Sequence, residues 1–279
     1  MVVINPDVII SGLSKYTILL HYVLFWKKVS LIHWSEATSI TENNINWFNK
    51  KYLKMHLKLP KAFLFPGKLA MEYHHNCGFS LINNVFYASN SIDGIFSITE
   101  NEFEEKFSNI KPLKFLFVGS FVKEKGFDLL NAVFVRLTEN KYNFELHVAG
   151  DGLIKPTDGI FNHGFLSKIE ALRLYKKCHV FLMPSIADCN PLSLIEAAKT
   201  GNAILASRGV GNYPEFVNGN GYVFEIGNEN ELFIACTKIL AASKDKLAKM
   251  ANKSIELTSE ISHAHSAQSF YNAIRHAIN

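Results

Sequence analysis

Along the first sixty residues the apolar positions fall into short blocks divided by polar breaks: DVIIS at 7–11, an apolar run that ends near Lys28, VSLIH at 29–33, and AFLFPG at 62–67. Short apolar blocks bounded by turn formers predict strands, and the longer run before Lys28 predicts a helix. Between the second and third strands, Ser39 and Glu42 have the spacing of a capping box. Beyond them Ile45, Phe48, Tyr52, Met55 and Leu59 recur at the 3,4 spacing of a buried helical face, which stops at Pro60.

A more regular pattern begins near residue 113. It reads strand KFLFVG, helix from about Gly126, strand FELHVAG, a loop containing GDG, helix SKIEALRLYKK, strand HVFLMP, helix PLSLIEAAK, strand AILAS, strand GYVFE, then helices to the end. Apolar strands alternating with helices predict a parallel sheet covered on both faces. The polar, proline-bearing stretch EEKFSNIKP places the domain change near 110. The expected organisation is therefore two unequal α/β domains, 1–110 and 111–279, with the last helix packing back on the first.

Composition narrows the class. At 279 residues and 48% hydrophobic content the chain can bury a sizeable core. Its net charge of +4 is too small to argue for nucleic acid, and no basic and aromatic module of that kind is present. The four cysteines, at 77, 178, 189 and 236, form no CxxC pair and no metal-ligand spacing with histidine, so they are expected to be reduced thiols of a cytosolic protein without a bound metal. The apolar stretch from Val8 to Trp26 is interrupted by Ser11, Ser14, Lys15, Thr17 and His21, which argues against a signal peptide or a membrane span.

In a parallel sheet, ligands bind at the carboxyl ends of the strands, beside helix N-termini. Three loops qualify. VGSFVKEKGFDLL ends a strand at Gly119, carries Lys123 and Lys125, and opens a helix at Gly126; it suits a phosphate, although it has neither a P-loop nor a GxGxxG pattern, and a solvated turn is equally open. In DCNPLSLIE, Asn190 suits a helix cap and Pro191 the first helical position, so the amides of Leu192 and Ser193 stand beside Asp188 and Glu196 lies one turn on. A carboxylate there can accept both hydroxyls of a ribose; a surface pair of Glu196 with Lys199 is the competing reading. The third loop, SRGVGNYPEFVNGNGYVF, is glycine-rich and holds Glu215.

Taken in order, VGSFVKEKGFDLL, HVAGDG, VFLMPSIADCNPLSLIEAAKTGNAILAS, GVGNYPEFV and NGNGYVF resemble the family 4 glycosyltransferases. The resemblance implies a GT-B-like α/β fold of two Rossmann-like parallel-sheet domains facing a cleft, the N-terminal one incomplete here. It implies a retaining, metal-independent enzyme without a cofactor, moving a hexose from a UDP- or GDP-sugar to a glycan or lipid-linked saccharide in surface polysaccharide synthesis, lipopolysaccharide or capsule. The family's paired glutamates, with seven residues between them, fall on Asp188 and Glu196. Carried over by position, Glu196 holds the ribose, Asp188 the donor sugar and Lys125 the diphosphate; Gly119 and Ser120 line the first loop, and the amides of Asn190, Pro191 and Leu192 assist. Two departures stand out: Ser120 replaces the family's arginine, and Asp188 is one methylene shorter than glutamate.

VSLIHWSEATS resembles the family's strand ending in a histidine, so His33 is implied to reach the donor sugar and Glu36 to lie on the acceptor side. About 110 residues before the donor domain is short for the family. A truncated or partner-dependent nucleotide-sugar binding module, with little activity alone, is therefore the alternative. From Lys50 to Lys68 there are six lysines and no acidic residue. With Trp47 among Lys50, Lys51, Lys54 and Lys58, expected opposite the Ile45, Phe48, Met55 stripe, this suits peripheral contact with an anionic membrane at its cytoplasmic face.

Overall fold

The computed structural model describes residues 6–12, 18–42, 47–78, 84–154 and 157–279. In chain order its first elements are β1 (Val8–Ser11), α1 (Ile18–Trp26), β2 (Ser30–Trp34), α2 (Trp47–His56), β3 (Ala62–Phe65), α3 (Lys68–Asn76), β4 (Val85–Tyr87) and α4 (Glu100–Ser108). There follow β5 (Leu113–Val118), α5 (Phe127–Glu139), β6 (Phe144–Ala149), β7 (Ile160–Asn162), α6 (Lys168–Lys177), β8 (Val180–Met183) and α7 (Leu192–Lys199). The chain then runs through β9 (Ala203–Ser207), α8 (Tyr213–Phe216), β10 (Gly221–Phe224), α9 (Glu229–Leu240), α10 (Lys244–Leu257) and α11 (His263–Ile278).

Two compact units form, residues 1–91 with 261–279, and residues 92–260. Each carries a parallel sheet, four strands in the order β1-β2-β3-β4 and six in the order β10-β9-β8-β5-β6-β7. This is the α/β architecture the alternation predicts. The first unit ends at 91 and not at 110, because the polar stretch that suggested a boundary is helix α4. Its Thr99 and Glu102 form a capping box. Phe107 enters the core of the second unit, and the buried Lys106 ammonium donates to the carbonyls of Tyr175 at 3.1 Å and Thr200 at 3.0 Å.

Within the first unit, β3 is apolar at every position because both its faces are covered. Phe63 and Phe65 pack with Leu53, Leu57, Ala70 and Tyr73 from α2 and α3, while Ala62 and Leu64 face the other way onto Ala273 and Ala277 of α11. A four-residue spacing of alanines lets α11 lie close to the sheet. The last helix thus belongs to the first unit. Helix α2 departs from expectation. Residues 38–41 make a turn in which Glu42 N–H donates to the Thr38 carbonyl at 3.0 Å, so Ser39 does not start the helix. Its buried stripe is Leu53, His56 and Leu57, whereas Met55 is exposed beside Lys51, Lys54 and Lys58. Ile45 lies outside the described residues, as do the side chains of Trp47, Phe48, Lys50 and Tyr52. No helix among the described residues is long and apolar enough to cross a membrane.

The first unit also buries four histidines, His21, His33, His56 and His74. His33 and His74 rings lie 5.1 Å apart, and His21 and His56 rings 6.2 Å apart. Burial holds His33 well below the usual histidine range, and the neighbouring histidines push it the same way. Burial brings His74 to about 4, against an opposing hydrogen bond to the Ala70 carbonyl. Neutral when folded, these groups take up protons near pH 6.5 once unfolded, so their contribution to stability is present above that pH and is lost as pH falls towards 4. Each such group changes stability by about 1.4 kcal/mol per pH unit in that window. Chemical denaturation between pH 7.5 and 5 is expected to show a falling midpoint with faster amide exchange in β2 and β3; a flat midpoint would show that the histidines do not carry this load.

Candidate functional site

The order of the six-stranded sheet reverses between β5 and β8: the chain leaves β5 towards β6 and β7, then returns to β8 and continues outward to β9 and β10. Loops diverge at such a reversal and open a crevice at the carboxyl ends of the two strands. Residues 119–126 and 184–191 leave those two ends, and residues 208–212 follow β9.

Glycines let these loops touch. A Cβ on Gly126 would stand 2.0 Å from the Pro184 carbonyl oxygen, one on Gly209 2.3 Å from that of Ser185, and one on Gly211 2.0 Å from that of Cys189. Gly126 also has φ 70°, which side-chain-bearing residues rarely adopt. Hydrogen bonds close the seams. Ile186 N–H donates to the Glu124 carbonyl at 2.8 Å, Asp188 N–H to that of Gly209 at 2.9 Å, and Gly211 N–H to that of Asp188 at 2.7 Å. The Ser207 hydroxyl donates to the Ser185 carbonyl.

On this frame Lys125 Nζ lies 2.5 Å from Asp188 Oδ2, with side chains 36% and 14% exposed. Expected from the sequence to hold separate partners, these two residues are joined in one ion pair. Asn190 does not cap α7. Its Oδ1 accepts from Asn212 Nδ2 at 2.7 Å, the same amide reaches the Pro191 carbonyl at 3.3 Å, and Pro191 itself, with ψ 122°, is the residue before the first helical turn. That leaves the first amides of α7, from the half-exposed Leu192 onward, without a side-chain cap. Asn190 Nδ2 and Asn212 Oδ1 are buried and have no partner among the described residues.

Glu196 stands one turn into α7 and accepts from the Tyr175 hydroxyl at 3.0 Å. Burial raises its carboxyl above the ordinary value, while the Tyr175 bond and the charge of Lys168 oppose that rise. Gly119 is half-buried at the end of β5, and Ser120 is exposed beyond it. The second unit therefore gathers Lys125, Asp188, Asn190 and the α7 N-terminus, with Glu196 along the same helix. A cation beside uncapped amides can hold an anion, and the carboxylate can receive hydroxyls. Among the described residues no group of three or more His, Cys, Asp or Glu is arranged to hold a metal ion.

His33 and Glu36 belong to the first unit. The His33 ring is 1% exposed and sits among Phe63, Phe65 and His74, because β2 is covered on both faces. It is a buried residue of the first unit's core. Glu36 Oε1 accepts from Asn90 Nδ2 at 2.9 Å. Sequence reasoning missed Tyr175 and Asn212: an aromatic on the inner stripe of α6 reads as packing, and Asn212 hides inside the glycine motif.

Residues 98–257, more than half of the chain and all within the second unit, match the family model described as Glycosyl transferases group 1. An uncharacterized 41.2 kDa protein in the cps region of Klebsiella pneumoniae is 26% identical over 207 residues, which are 69% of this chain and 56% of that protein. The chain thus spans little more than half the length of that relative. Among solved structures, HepE of Anabaena in complex with UDP is similar with a TM-score of 0.76 at 14% identity, over 96% of this chain and 78% of that one. Sucrose-phosphate synthase of Thermosynechococcus elongatus is similar with a TM-score of 0.71 at 14% identity, over 96% and 73%.

The loop seams make a stability prediction. Gly211→Ala is expected to cost about 2 kcal/mol by overpacking, whereas Gly94→Ala, where an added Cβ meets nothing within 4 Å, is expected to stay within about 0.5 kcal/mol. Thermal unfolding of the two variants checks this, and equal midpoints would remove the close-approach argument.

Proposed function

The chain belongs to the Glycosyl transferases group 1 family, and from that premise we propose that it moves a hexose from a nucleotide diphosphate sugar to a hydroxyl of a glycan or lipid-linked saccharide in polysaccharide synthesis, with retention at the anomeric carbon. The observation that carries this reading is the ion pair of Lys125 with Asp188, on the loop that leads into the uncapped start of α7, with Glu196 one turn further on. The diphosphate lies against Lys125 and the amides of Leu192 and Ser193, and the ribose hydroxyls go to Glu196. UDP is favoured as the nucleotide by HepE, which was solved in complex with UDP and with UDP-glucose. The Klebsiella relative in the cps region favours a polysaccharide product.

In the reaction the bond between the sugar's anomeric carbon and the diphosphate oxygen breaks, and the acceptor oxygen takes its place. The acceptor's proton leaves on the departing diphosphate or into solvent. The residues act by electrostatics, since charge builds on the leaving oxygen and Lys125 meets it there. Ser120 supplies no guanidinium, so Lys125 is the main cation of this loop. Before the donor arrives Lys125 is engaged by Asp188, and the diphosphate must take over that ammonium while Asp188 turns to the sugar. The same ion pair favours a second reading, a nucleotide-sugar binding module with little turnover alone.

Peripheral membrane contact fits the first unit, at the cytoplasmic face. Lys51, Lys54 and Met55 are exposed on α2, and Lys58 is exposed in the turn after it. On α1, Phe25 and Trp26 are 59% and 85% exposed beside Lys27 and Lys28. They rim a pocket of about 480 Å³ that reaches Leu59 and Lys61. Aromatic and apolar tips ringed by lysines suit an anionic bilayer surface.

Incubation with a panel of UDP- and GDP-sugars, followed by mass spectrometry, separates transfer from mere binding. Lys125→Ala is expected to lower kcat/KM by about a hundredfold, and Glu196→Ala to raise the donor KM by about tenfold. Unchanged turnover in both would end this assignment of roles. Co-sedimentation with vesicles is expected to strengthen when phosphatidylserine is included and to weaken when Lys51, Lys54 and Lys58 are replaced by Glu, and indifference to both changes would dismiss the membrane surface.

A further inference from the structure

Tyr175 lies on the inner face of α6 and is fully buried. Its ring sits between Phe96 and Phe181, with centroids 5.9 and 5.8 Å away. Its backbone carbonyl accepts from Lys106 Nζ at 3.1 Å and from Asn202 Nδ2 at 2.9 Å. Ring and backbone are therefore both fixed, and the hydroxyl, donating to Glu196 Oε2 at 3.0 Å, is fixed with them. Burial and the nearby Glu196 charge push the Tyr175 hydroxyl well above its ordinary value, so its proton stays in place and the direction of the bond is set.

A glutamate carboxylate rotates about a broad terminal torsion. Two adjacent hydroxyls of a ring can be received together only in a narrow part of that rotation, and one bond to a rigid donor selects it. The carboxylate keeps acceptor capacity for both hydroxyls after the Tyr175 bond is made. We infer that Tyr175 is a positioning residue for nucleotide recognition, its hydroxyl holding the Glu196 carboxylate in the rotation that receives the 2′- and 3′-hydroxyls of a ribose. This rests on the reading of Glu196 as the ribose ligand. It adds a residue on another helix, 21 positions away in sequence, that touches no substrate and tunes the one that does.

The test is calorimetric titration of the full chain with UDP and GDP, each beside its 2′,3′-dideoxy counterpart. The wild type is expected to bind the ribonucleotide at least tenfold more tightly than the dideoxy form. Tyr175→Phe, which keeps the ring in its aromatic cage, is expected to weaken ribonucleotide binding about tenfold, leave dideoxy binding unchanged and bring the ratio close to one. The donor KM should rise while kcat holds. In a Glu196→Ala background the same change should have no further effect. Phe96→Leu, which loosens the packing on the ring but leaves the hydroxyl, should lower the unfolding temperature and keep the wild-type ratio. A wild-type ratio retained in Tyr175→Phe, or a ratio lost in Phe96→Leu, would overturn the inference with the ribose reading intact. A wild type that binds both nucleotide forms equally would overturn the ribose reading itself, and the inference with it.

Discussion

The close approach of three backbone segments at Gly126, Gly209 and Gly211 is the constraint on which the rest of the second unit depends. At each, an added Cβ would fall within 2.3 Å of a carbonyl oxygen on a neighbouring loop. Without those contacts the segments after β5, β8 and β9 would stand apart, and the side chains they carry would not meet. With them, a lysine from one loop and an aspartate from another come to 2.5 Å, and the start of α7 is held beside both. The sheet explains where this happens: the strand order reverses between β5 and β8, and the loops leaving the strand ends there approach one another backbone to backbone at the glycines.

Such a frame is stiff where it is covered and costly where it is not. Asn190 and Asn212 bind one another and yet each leaves a buried polar atom without a partner among the described residues. Glu196 is raised by burial and steadied by one phenol. A purely structural loop cluster would gain by satisfying or removing these groups. Found together on the loops around an uncapped helix start, they are consistent with the proposed site, where a ligand would complete the hydrogen bonding. Strain and incomplete pairing at sites of function are general, and the surrounding core of Phe115, Phe117, Phe134, Val148 and Leu182 supplies the stability that offsets them.

Much of this was legible in the chain. Within KFLFVG and HVFLMP the stretches FLFV and VFLM are apolar without a break, as strands buried on both faces are, and the parallel sheets followed. The spacing of Asp188 and Glu196 placed both at one strand-to-helix junction. What could not be read is pairing across distance. Tyr175 and Glu196 meet because α6 and α7 pack together, and nothing local to either residue marks it. Nor could α4 be placed, since Lys106 is a charged residue buried by two carbonyls far away in sequence. The surroundings of His33 were not legible for a related reason: Phe63, Phe65 and His74, which pack against its ring, lie 30 or more positions away in sequence. Short elements such as β7, three residues long, are below what alternation can signal.

Hydrogen exchange of the full chain with and without UDP reads all three loops at once. If the three glycine-seamed loops form one nucleotide diphosphate site, the nucleotide slows exchange together at amides of 119–126, 186–194 and 208–212, and leaves those of α9 and α10 as they were. Protection confined to one of these loops, or found only elsewhere in the chain, would contradict the account.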